Sequence, residues 1–186
     1  MDEKIIPEVR KDSFFSRPDR VLTGRHEEAT RADLYVCTMV FNPVRFRSRW
    51  KLYQDFARLV KSYGAKLCVA EVAQHARDFV IGKNDPVAPD ILLQLESDSE
   101  IWLKEPALNL LVAQLPHDWQ YVAWWDADIS FARADIANEV VQQLQHYKVV
   151  QCWSEALDLG PDHEVVQRNH SFVYSLYASD VQILTP

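Results

Sequence analysis

The chain has 186 residues, 48% of them hydrophobic and 25% charged, which is the balance of an ordinary globular protein. This length allows one domain with a substantial core, and no apolar run reaches the roughly 20 residues that a membrane-spanning helix needs. The formal net charge of −7 disfavours broad electrostatic binding to nucleic acid. Because the N-terminal stretch lacks the hydrophobic segment of a secretory signal, we expect a cytoplasmic protein.

The first part of the chain predicts a strand, a helix and a second strand. Residues 1–32 show no clear period, and we expect an N-terminal arm there, before a domain over 33–186. "DLYVCTMVF" is β-rich and ends at an Asn-Pro turn. In "VRFRSRWKLYQDFARLVKSYG" apolar residues recur at steps of three and four, which predicts an amphipathic helix with Gly64 as its C-cap. "AKLCVAEVA" has the consecutive apolar residues of a parallel strand covered on both faces.

The second part repeats this alternation. Gln74 to Ser99 is interrupted by Gly, Asn and Pro, and we expect mostly loop with short elements. A helix is predicted after Lys104 in "EIWLKEPALNLLVAQLP", then a third strand in "WQYVAWW", whose two tryptophans we expect in the core. "RADIANEVVQQLQHY" predicts a helix, "KVVQCWS" a fourth strand, and the tail is β-like. The order favours an α/β fold with a mostly parallel sheet and helices on both faces.

Three cysteines, Cys37, Cys68 and Cys152, are odd in number and far apart. Two of them lie in apolar, strand-like runs, and none has the spacing of a metal site. We expect reduced thiols that pack as small hydrophobic side chains.

Two carboxylates, Asp126 and Asp128, follow the third predicted strand in "WWDADISF". Ligands of open α/β sheets bind outside the carboxyl ends of the strands, and residues i and i+2 of an extended chain point the same way. A hard cation such as Mg²⁺ or Mn²⁺ would relieve the repulsion between the two. The alternative is a solvated turn in which Asp128 caps the next segment. No phosphate-binding G-x-x-x-x-G-K-[ST] and no dinucleotide-binding G-x-G-x-x-G is present.

"YVAWWDADISF" resembles the strand and D-x-D motif of the GT-A-fold glycosyltransferases, the nucleotide-diphospho-sugar transferases. The order of "WLKEPALNLLVAQLP", "DW.YV.W.DADI.F" and "VVQCWSEALDLGP" is similar to a bacterial and phage branch, and the resemblance covers roughly 34–161. It implies a Rossmann-like GT-A sheet and transfer of a sugar from a nucleotide-diphosphate donor to an acceptor hydroxyl, with a glycan as the default acceptor. It also implies Mn²⁺ or Mg²⁺ as cofactor.

The same resemblance implies a set of site residues. Asp126 would lie near the donor's ribose or the metal, and Asp128 would be the firmer metal ligand. The other donor-binding candidates lie at strand ends, at the start of the first helix or in the "KE.ALN" segment, and they are Thr38, Val40, Phe41, Asn42, Arg45, Glu71, Lys104 and Asn109. Asn109 would brace the D-x-D strand, and Lys104 would approach the diphosphate. For the charged and amide candidates the alternative is a plain surface or packing role.

The chain also departs from the family, because it ends about sixty residues after Asp128. We therefore expect an acceptor half that is short or missing, assign no catalytic base, and leave inversion or retention open. Two alternatives follow. One is a truncated or degenerate domain that binds nucleotide or a partner without turnover. The other is a phage DNA-base glycosyltransferase, for which the basic "VRFRSRWK" is the supporting feature. A nucleotidylyltransferase is disfavoured, since "NPVRFRSR" lacks glycines.

Overall fold

The computed structural model describes residues 34–75, 77–82, 85–99, 101–172 and 174–175, so the expected arm over 1–32 lies outside the described residues. The elements, in chain order, are β1 (Leu34–Phe41), α1 (Arg47–Ser62), β2 (Lys66–Gln74), β3 (Ile91–Ser97), α2 (Lys104–Val112), β4 (Tyr121–Trp124), α3 (Ile136–His146), β5 (Glu155–Leu159) and β6 (Val165–His170). The chain divides into two compact units, with the boundary between Val141 and Gln142. Each unit is described by itself.

The first unit contains a four-stranded sheet in the order β3-β2-β1-β4, and all three of its strand pairs are parallel. The predicted α/β class with a mostly parallel sheet is confirmed. The chain runs outward from β1 to β2 and β3 on one side, whereas β4 adds to the other side of β1. The strand order therefore reverses between β1 and β4, and in open α/β sheets such a switch point opens a crevice at the carboxyl ends of the strands.

Helices cover both faces of this sheet. Cys37 and Cys68 are paired in register and contribute to a core cluster on one face, together with Leu108 and Leu111 of α2. Successive strand residues point to opposite faces, so buried residues such as Val69 face the other side. There α1 packs on β2 through its own buried stripe, which consists of Tyr53, Phe56, Ala57 and Val60.

The 16-residue helix α1 is positioned at both of its ends. Before it, the Asn42 side chain accepts a hydrogen bond from the Phe46 amide (3.0 Å) and donates one to the Phe46 carbonyl (2.9 Å). After it, Gly64 adopts φ 74°, the left-handed conformation that glycine adopts without steric cost. The predicted helix and its glycine stop are confirmed. Within the described parts of the chain, no helix has both the length and the apolar composition that spanning a bilayer requires.

The segment 74–99, expected as mostly loop with short elements, contains β3, whose Gln94 and Glu96 alternate with apolar residues along the outer strand of the sheet. Another secondary-structure expectation is wrong. "KVVQCWS" forms no strand; Val149 is 87% exposed, so its apolar run does not indicate burial. The second unit instead contains an antiparallel hairpin of β5 and β6, which are polar and mostly exposed. The tail, expected to be β-like, is helical at Phe172, Tyr174 and Ser175, and its residues 173 and 176–186 lie outside the described residues.

The buried cysteines are reduced thiols, as expected for packing residues. Cys37 and Cys68 are fully buried and face each other across β1 and β2. A hydrogen bond to Cys37, together with burial, holds the pKa of the Cys68 thiol far above its ordinary value. Cys68 is therefore protonated and unreactive in the folded protein.

Candidate functional site at the carboxyl edge of the sheet

The D-x-D segment lies at the switch point of the sheet. Strand β4 ends at Trp124, and the Trp125 amide still donates to the Cys37 carbonyl (3.2 Å), which extends the pairing with β1 by one residue. Asp126 follows at once, and Asp128 lies in the turn after it. Both aspartates are exposed. The predicted position of the pair, directly after a strand at its carboxyl end, is confirmed.

Asp126 has a counter-charge that is distant in sequence. The Lys104 ammonium donates a hydrogen bond to Asp126 Oδ1 from 22 residues away, at the first residue of α2. The Lys104 side chain is 28% exposed and the Asp126 side chain 55%, so solvent screens the pair and its net contribution to stability is small. We expected Lys104 near a donor diphosphate, and its observed partner is the D-x-D carboxylate. For Asp128, no side-chain hydrogen bond or ion pair is found among the described residues.

The donor set at this edge fits a cation that is shared with a substrate. Within the described ranges, no group of three or more His, Cys, Asp or Glu side chains could hold a metal by itself. Mg²⁺ keeps several waters and is usually bound through one or two carboxylates together with substrate phosphates. Asp126 and Asp128 supply that number of carboxylates, and the exposed turn leaves room for the other ligands.

Glu71 is a buried structural carboxylate, which corrects the expectation that it would be open to a ribose or base. It lies three residues before the end of β2 and is 2% exposed. Its oxygens accept hydrogen bonds from the amides of Val80 (2.6 Å) and Ile81 (3.1 Å) and from the side-chain amide of Gln94 on β3 (3.0 Å). The carboxylate therefore holds the segment after β2 against the sheet, and its acceptor positions are already used.

The β1 candidates are mostly core residues, a second correction. Thr38 and Val40 are buried inside the sheet, and Phe41 packs against the α2 face. Asn42 does lie at the strand end, but its side chain is used in the two hydrogen bonds to Phe46. Alternation directs the side chains of this strand to both faces of the sheet, and because helices cover both faces, most of these side chains are buried.

Arginines line a small crevice at the carboxyl ends of β1 and β2. Its volume is about 20 Å³, the space of about one water molecule. Arg45 borders it and adopts φ 60°, which is uncommon for a residue with a side chain. Arg77 also borders it and donates to the Pro43 carbonyl. The sequence analysis did not select Arg77. The only pattern that could have indicated it is a basic residue shortly after a predicted strand.

Two further residues of the region differ from expectation. Asn109 is exposed on α2, and its side chain makes no hydrogen bond to β4 in the described structure, so it does not brace the D-x-D strand. Trp124, two residues before Asp126, is 45% exposed, although we expected it in the core. Trp125 is buried, as expected, with its ring centroid 4.7 Å from that of Phe131.

Comparisons with known proteins identify no relative. A scan of protein-family models, a search of curated proteins and a search of solved structures each return no match to this chain. The resemblance to GT-A glycosyltransferases therefore stays a prediction that rests on motif order. Any functional assignment depends on the residues of the site.

Proposed function

We propose that the chain is a metal-dependent glycosyltransferase domain that binds a nucleotide-diphosphate sugar at the Asp126–Asp128 edge and transfers the sugar to an acceptor hydroxyl. One observation carries this proposal. An exposed pair of carboxylates directly follows β4, at the point where the parallel strand order β3-β2-β1-β4 reverses. Ligands of open α/β sheets bind at such a point, and a diphosphate bound beside two carboxylates needs a cation between them.

The residues of this edge have separate roles in the proposal. Asp128, which has no partner in the described structure, would be the principal protein ligand of Mn²⁺ or Mg²⁺. Asp126 would share the ion, or contact the ribose, after exchanging part of its interaction with Lys104. The cation would stabilise the charge on the departing nucleoside diphosphate. Lys104, once released from Asp126, would place a second positive charge toward the same phosphates.

Trp124 supplies support for the sugar as the transferred group. Trp124 is 45% exposed and lies two residues before Asp126. An exposed aromatic ring beside a polar site offers a flat apolar surface, which suits the less polar face of a sugar ring. A glycan hydroxyl is the default acceptor in this proposal.

Binding without turnover is the second candidate function. It is favoured by the absence, among the described residues, of any third His, Cys, Asp or Glu grouped with the aspartate pair. A DNA acceptor is favoured by a different feature, the exposed basic side chains around the start of α1, namely Arg45, Arg47, Arg49 and Lys51. Both candidates use the same donor site and differ in the step after donor binding.

Calorimetric titration tests the donor site. UDP, GDP and their sugars are titrated into the wild type with Mn²⁺ and with chelator, and the same series is run on Asp128→Ala. We expect one diphosphate nucleotide to bind only with Mn²⁺, and binding to weaken at least tenfold in Asp128→Ala, because an essential cation ligand is removed. Hydrolysis of the bound nucleotide sugar would distinguish transfer chemistry from binding alone.

Asp118→Ala is the matched control. Asp118 is also exposed, but it precedes β4 and therefore lies at the opposite, amino edge of the strand. It has the same charge and should leave nucleotide binding unchanged. If no diphosphate nucleotide binds in a metal-dependent way, or if Asp118→Ala and Asp128→Ala weaken binding equally, the proposal is wrong.

A further inference from the structure

The exposed large hydrophobic side chains of the first unit gather at the carboxyl edge of its sheet. Each of them ends a strand, follows one, or lies in the first two turns of the helix after it. Among the described residues of this unit they are Val44, Phe46, Leu52, Val80, Ile101, Trp102 and Trp124. The segments that enter β2 and β4 at the amino edge, 63–65 and 113–120, expose none. Exposed apolar groups that collect in one place indicate a contact surface.

Two of these side chains, Val44 and Phe46, belong to a turn whose backbone is fixed. The Arg45 amide donates to the Asn42 carbonyl (3.0 Å), and the Asn42 side chain forms its two hydrogen bonds with the Phe46 backbone. Arg77 donates to a further carbonyl of the same turn. Although Asn42 is buried, Val44 is 67% and Phe46 55% exposed. A turn that is already ordered loses little conformational entropy when its apolar side chains enter an apolar phase.

Four cations alternate with or follow these apolar side chains along the chain. They are all exposed, no side-chain partner is found for them among the described residues, and they are Arg45, Arg47, Arg49 and Lys51. Several other cations of the same unit pair with carboxylates instead. The first turn of α1 contains no acidic residue. Unpaired positive charge is therefore concentrated here, in a protein whose net charge is −7, and it attracts an anionic surface.

The mixture of cations and apolar groups distinguishes between anionic partners. Cations alone would suit a nucleic acid equally well, but single-stranded nucleic acid also needs aromatic faces on which bases stack. Phe46 offers one such face, and the aliphatic Val44 offers none. Residues 44–49 are all exposed, and the crevice beside them holds about one water molecule, so this segment projects and is not a groove for a peptide. A bilayer interface accepts both kinds of group, because cations meet the headgroup phosphates while apolar side chains reach the acyl chains.

We propose that this segment binds the surface of a bilayer that contains anionic phospholipids. The binding surface, the α1 turn patch, consists of Val44, Arg45, Phe46, Arg47, Arg49 and Lys51. Val44 and Phe46 enter the boundary between headgroups and acyl chains, and the four cations lie among the headgroup phosphates. The patch acts independently of the proposed donor site, since it needs neither a nucleotide nor a metal ion.

Co-sedimentation with vesicles tests the class of partner. The full chain is mixed with vesicles of phosphatidylglycerol and phosphatidylcholine in equal parts, or of phosphatidylcholine alone, with chelator present in both series. We expect the protein to bind the mixed vesicles, and to bind phosphatidylcholine at least about tenfold more weakly, because each cation near an anionic surface contributes about fivefold. No binding to the mixed vesicles, or equal binding to both kinds, overturns the proposal.

Charge variants locate the patch. Arg47→Gln should weaken binding to the mixed vesicles about fivefold. Lys66→Gln is the matched control, because Lys66 is also exposed but begins β2 at the amino edge of the sheet. It removes the same charge and should leave binding nearly unchanged. If the two variants weaken binding equally, the attraction comes from net charge alone and the patch is refuted.

Apolar variants test insertion. Phe46→Ser should retain the fold, since the side chain is exposed, and thermal unfolding checks this. It should weaken binding at least about fivefold, because each methylene group that leaves the acyl region is worth about fourfold. Phe172→Ser makes the same change at a phenylalanine that is 69% exposed in the second unit, and it should bind as the wild type does. If Phe46→Ser binds as tightly as the wild type, insertion is refuted.

Soluble competitors distinguish the bilayer from other anions. Glycerol 3-phosphate and an oligothymidylate are added to the bound protein at an ionic strength matched with sodium chloride, and neither should release it. Release by glycerol 3-phosphate would indicate a site for free phosphate, and release by the oligothymidylate a nucleic-acid site; either overturns the proposal. Asp128→Ala should bind the mixed vesicles as the wild type does, whether or not nucleotide binding is found. Failure of the donor site and failure of the patch are therefore distinguishable.

Discussion

Two sets of carboxylates near the same end of the sheet are used in opposite ways. Glu71 is 2% exposed and accepts hydrogen bonds from two backbone amides and from Gln94. Asp126 and Asp128, on the other side of β1, are exposed, and the only partner found for them among the described side chains is Lys104. The sequence alone placed all three in one donor site.

Burial decides which of these carboxylates is available to a ligand. A buried carboxylate is tolerated only when its oxygens accept hydrogen bonds. The oxygens of Glu71 accept hydrogen bonds from protein groups. An exposed pair at a strand end is satisfied by water, which a cation and a diphosphate can replace. Glu71 therefore contributes to stability, whereas the aspartate pair is the candidate binding site.

Among these substitutions, we expect Glu71→Ala to lower the free energy of unfolding most. The substitution removes the acceptor of the buried Ile81 amide and of the partly buried Val80 amide, and an unsatisfied buried donor costs about 1–3 kcal/mol. Gln94 keeps its other acceptor, the Ile81 carbonyl. Because water will reach some of these donors, we expect the free energy of unfolding to fall by about 3 kcal/mol. Urea denaturation measures it. Glu71→Gln retains one acceptor oxygen and should lose less; equal losses, or a loss below about 1 kcal/mol, would contradict the structural role.

The next largest change in stability is expected at Tyr53. Like Glu71 it is a buried polar side chain, but its hydroxyl has no hydrogen-bond partner in the described structure. Tyr53→Phe removes this hydroxyl. We expect the protein to gain about 1 kcal/mol in the free energy of unfolding, since an unsatisfied buried group is removed. Thermal or urea unfolding without added ligand measures the gain. A loss of stability would mean that the hydroxyl has a partner in solution.

The same hydroxyl predicts a pH dependence. Burial and the neighbouring Asp85 and Glu71 raise the Tyr53 pKa above its ordinary value of 10.0. The folded state therefore binds the proton more tightly than the unfolded state, and this contribution is complete below pH 10 and lost as the pH rises above it. Between pH 9 and 11 the wild type should lose more stability than Tyr53→Phe. Parallel losses would contradict the burial of this group.

Lys104→Met probes the exposed pair. The ion pair with Asp126 is partly exposed, so its removal should change the free energy of unfolding by less than about 1 kcal/mol. Removing a positive charge beside the carboxylates should strengthen Mn²⁺ binding in the absence of nucleotide by a few fold. Mn²⁺ titration followed by electron paramagnetic resonance measures this. Weaker Mn²⁺ binding would show that Lys104 holds Asp126 in its binding position.

The smallest effect on stability is expected from Asp128→Ala. Exposed substitutions without described partners usually stay within about 0.5 kcal/mol. Loss of nucleotide binding with unchanged unfolding would assign Asp128 to the ligand. A destabilisation comparable to that of Glu71→Ala would mean that Asp128, like Glu71, contributes to stability, and would contradict its assignment to ligand binding.

Short sequence patterns predicted those helices and strands whose formation depends on residues near one another in the chain. The three-and-four spacing of apolar residues predicted α1, and Gly64 marked its end, because both signals lie within a few residues of the structure they encode. Consecutive apolar residues predicted β2 as a covered parallel strand, and a β-rich run ended by Asn-Pro predicted β1. The strand β3 was missed because Gln94 and Glu96 break its apolar pattern, and the position of this strand depends on pairing with β2.

The site was predicted less completely than the fold, because its contacts are distant in sequence. The D-x-D segment was recognisable from its position after a strand. Asp126 and Lys104, which form an ion pair, are 22 residues apart in sequence. Glu71 and the Val80 amide, which form a hydrogen bond, are nine residues apart. No local sequence pattern predicts either contact. Strand alternation places Thr38 and Val40 on the same face, and both are buried because helices cover both faces of the sheet. The side of the sheet that each carboxylate faces had to come from the three-dimensional structure.

Paramagnetic broadening by Mn²⁺ tests directly whether the aspartate pair is the cation site. Mn²⁺ is added in substoichiometric amounts with UDP, and the loss of backbone amide signals is recorded residue by residue. We predict that the signals of Asp126, Ala127 and Asp128 disappear first, while that of Glu71, two strands or about 10 Å away, persists to higher Mn²⁺. Broadening that begins at Glu71, or that spares the D-x-D segment, would contradict the assignment of the cation to the aspartate pair.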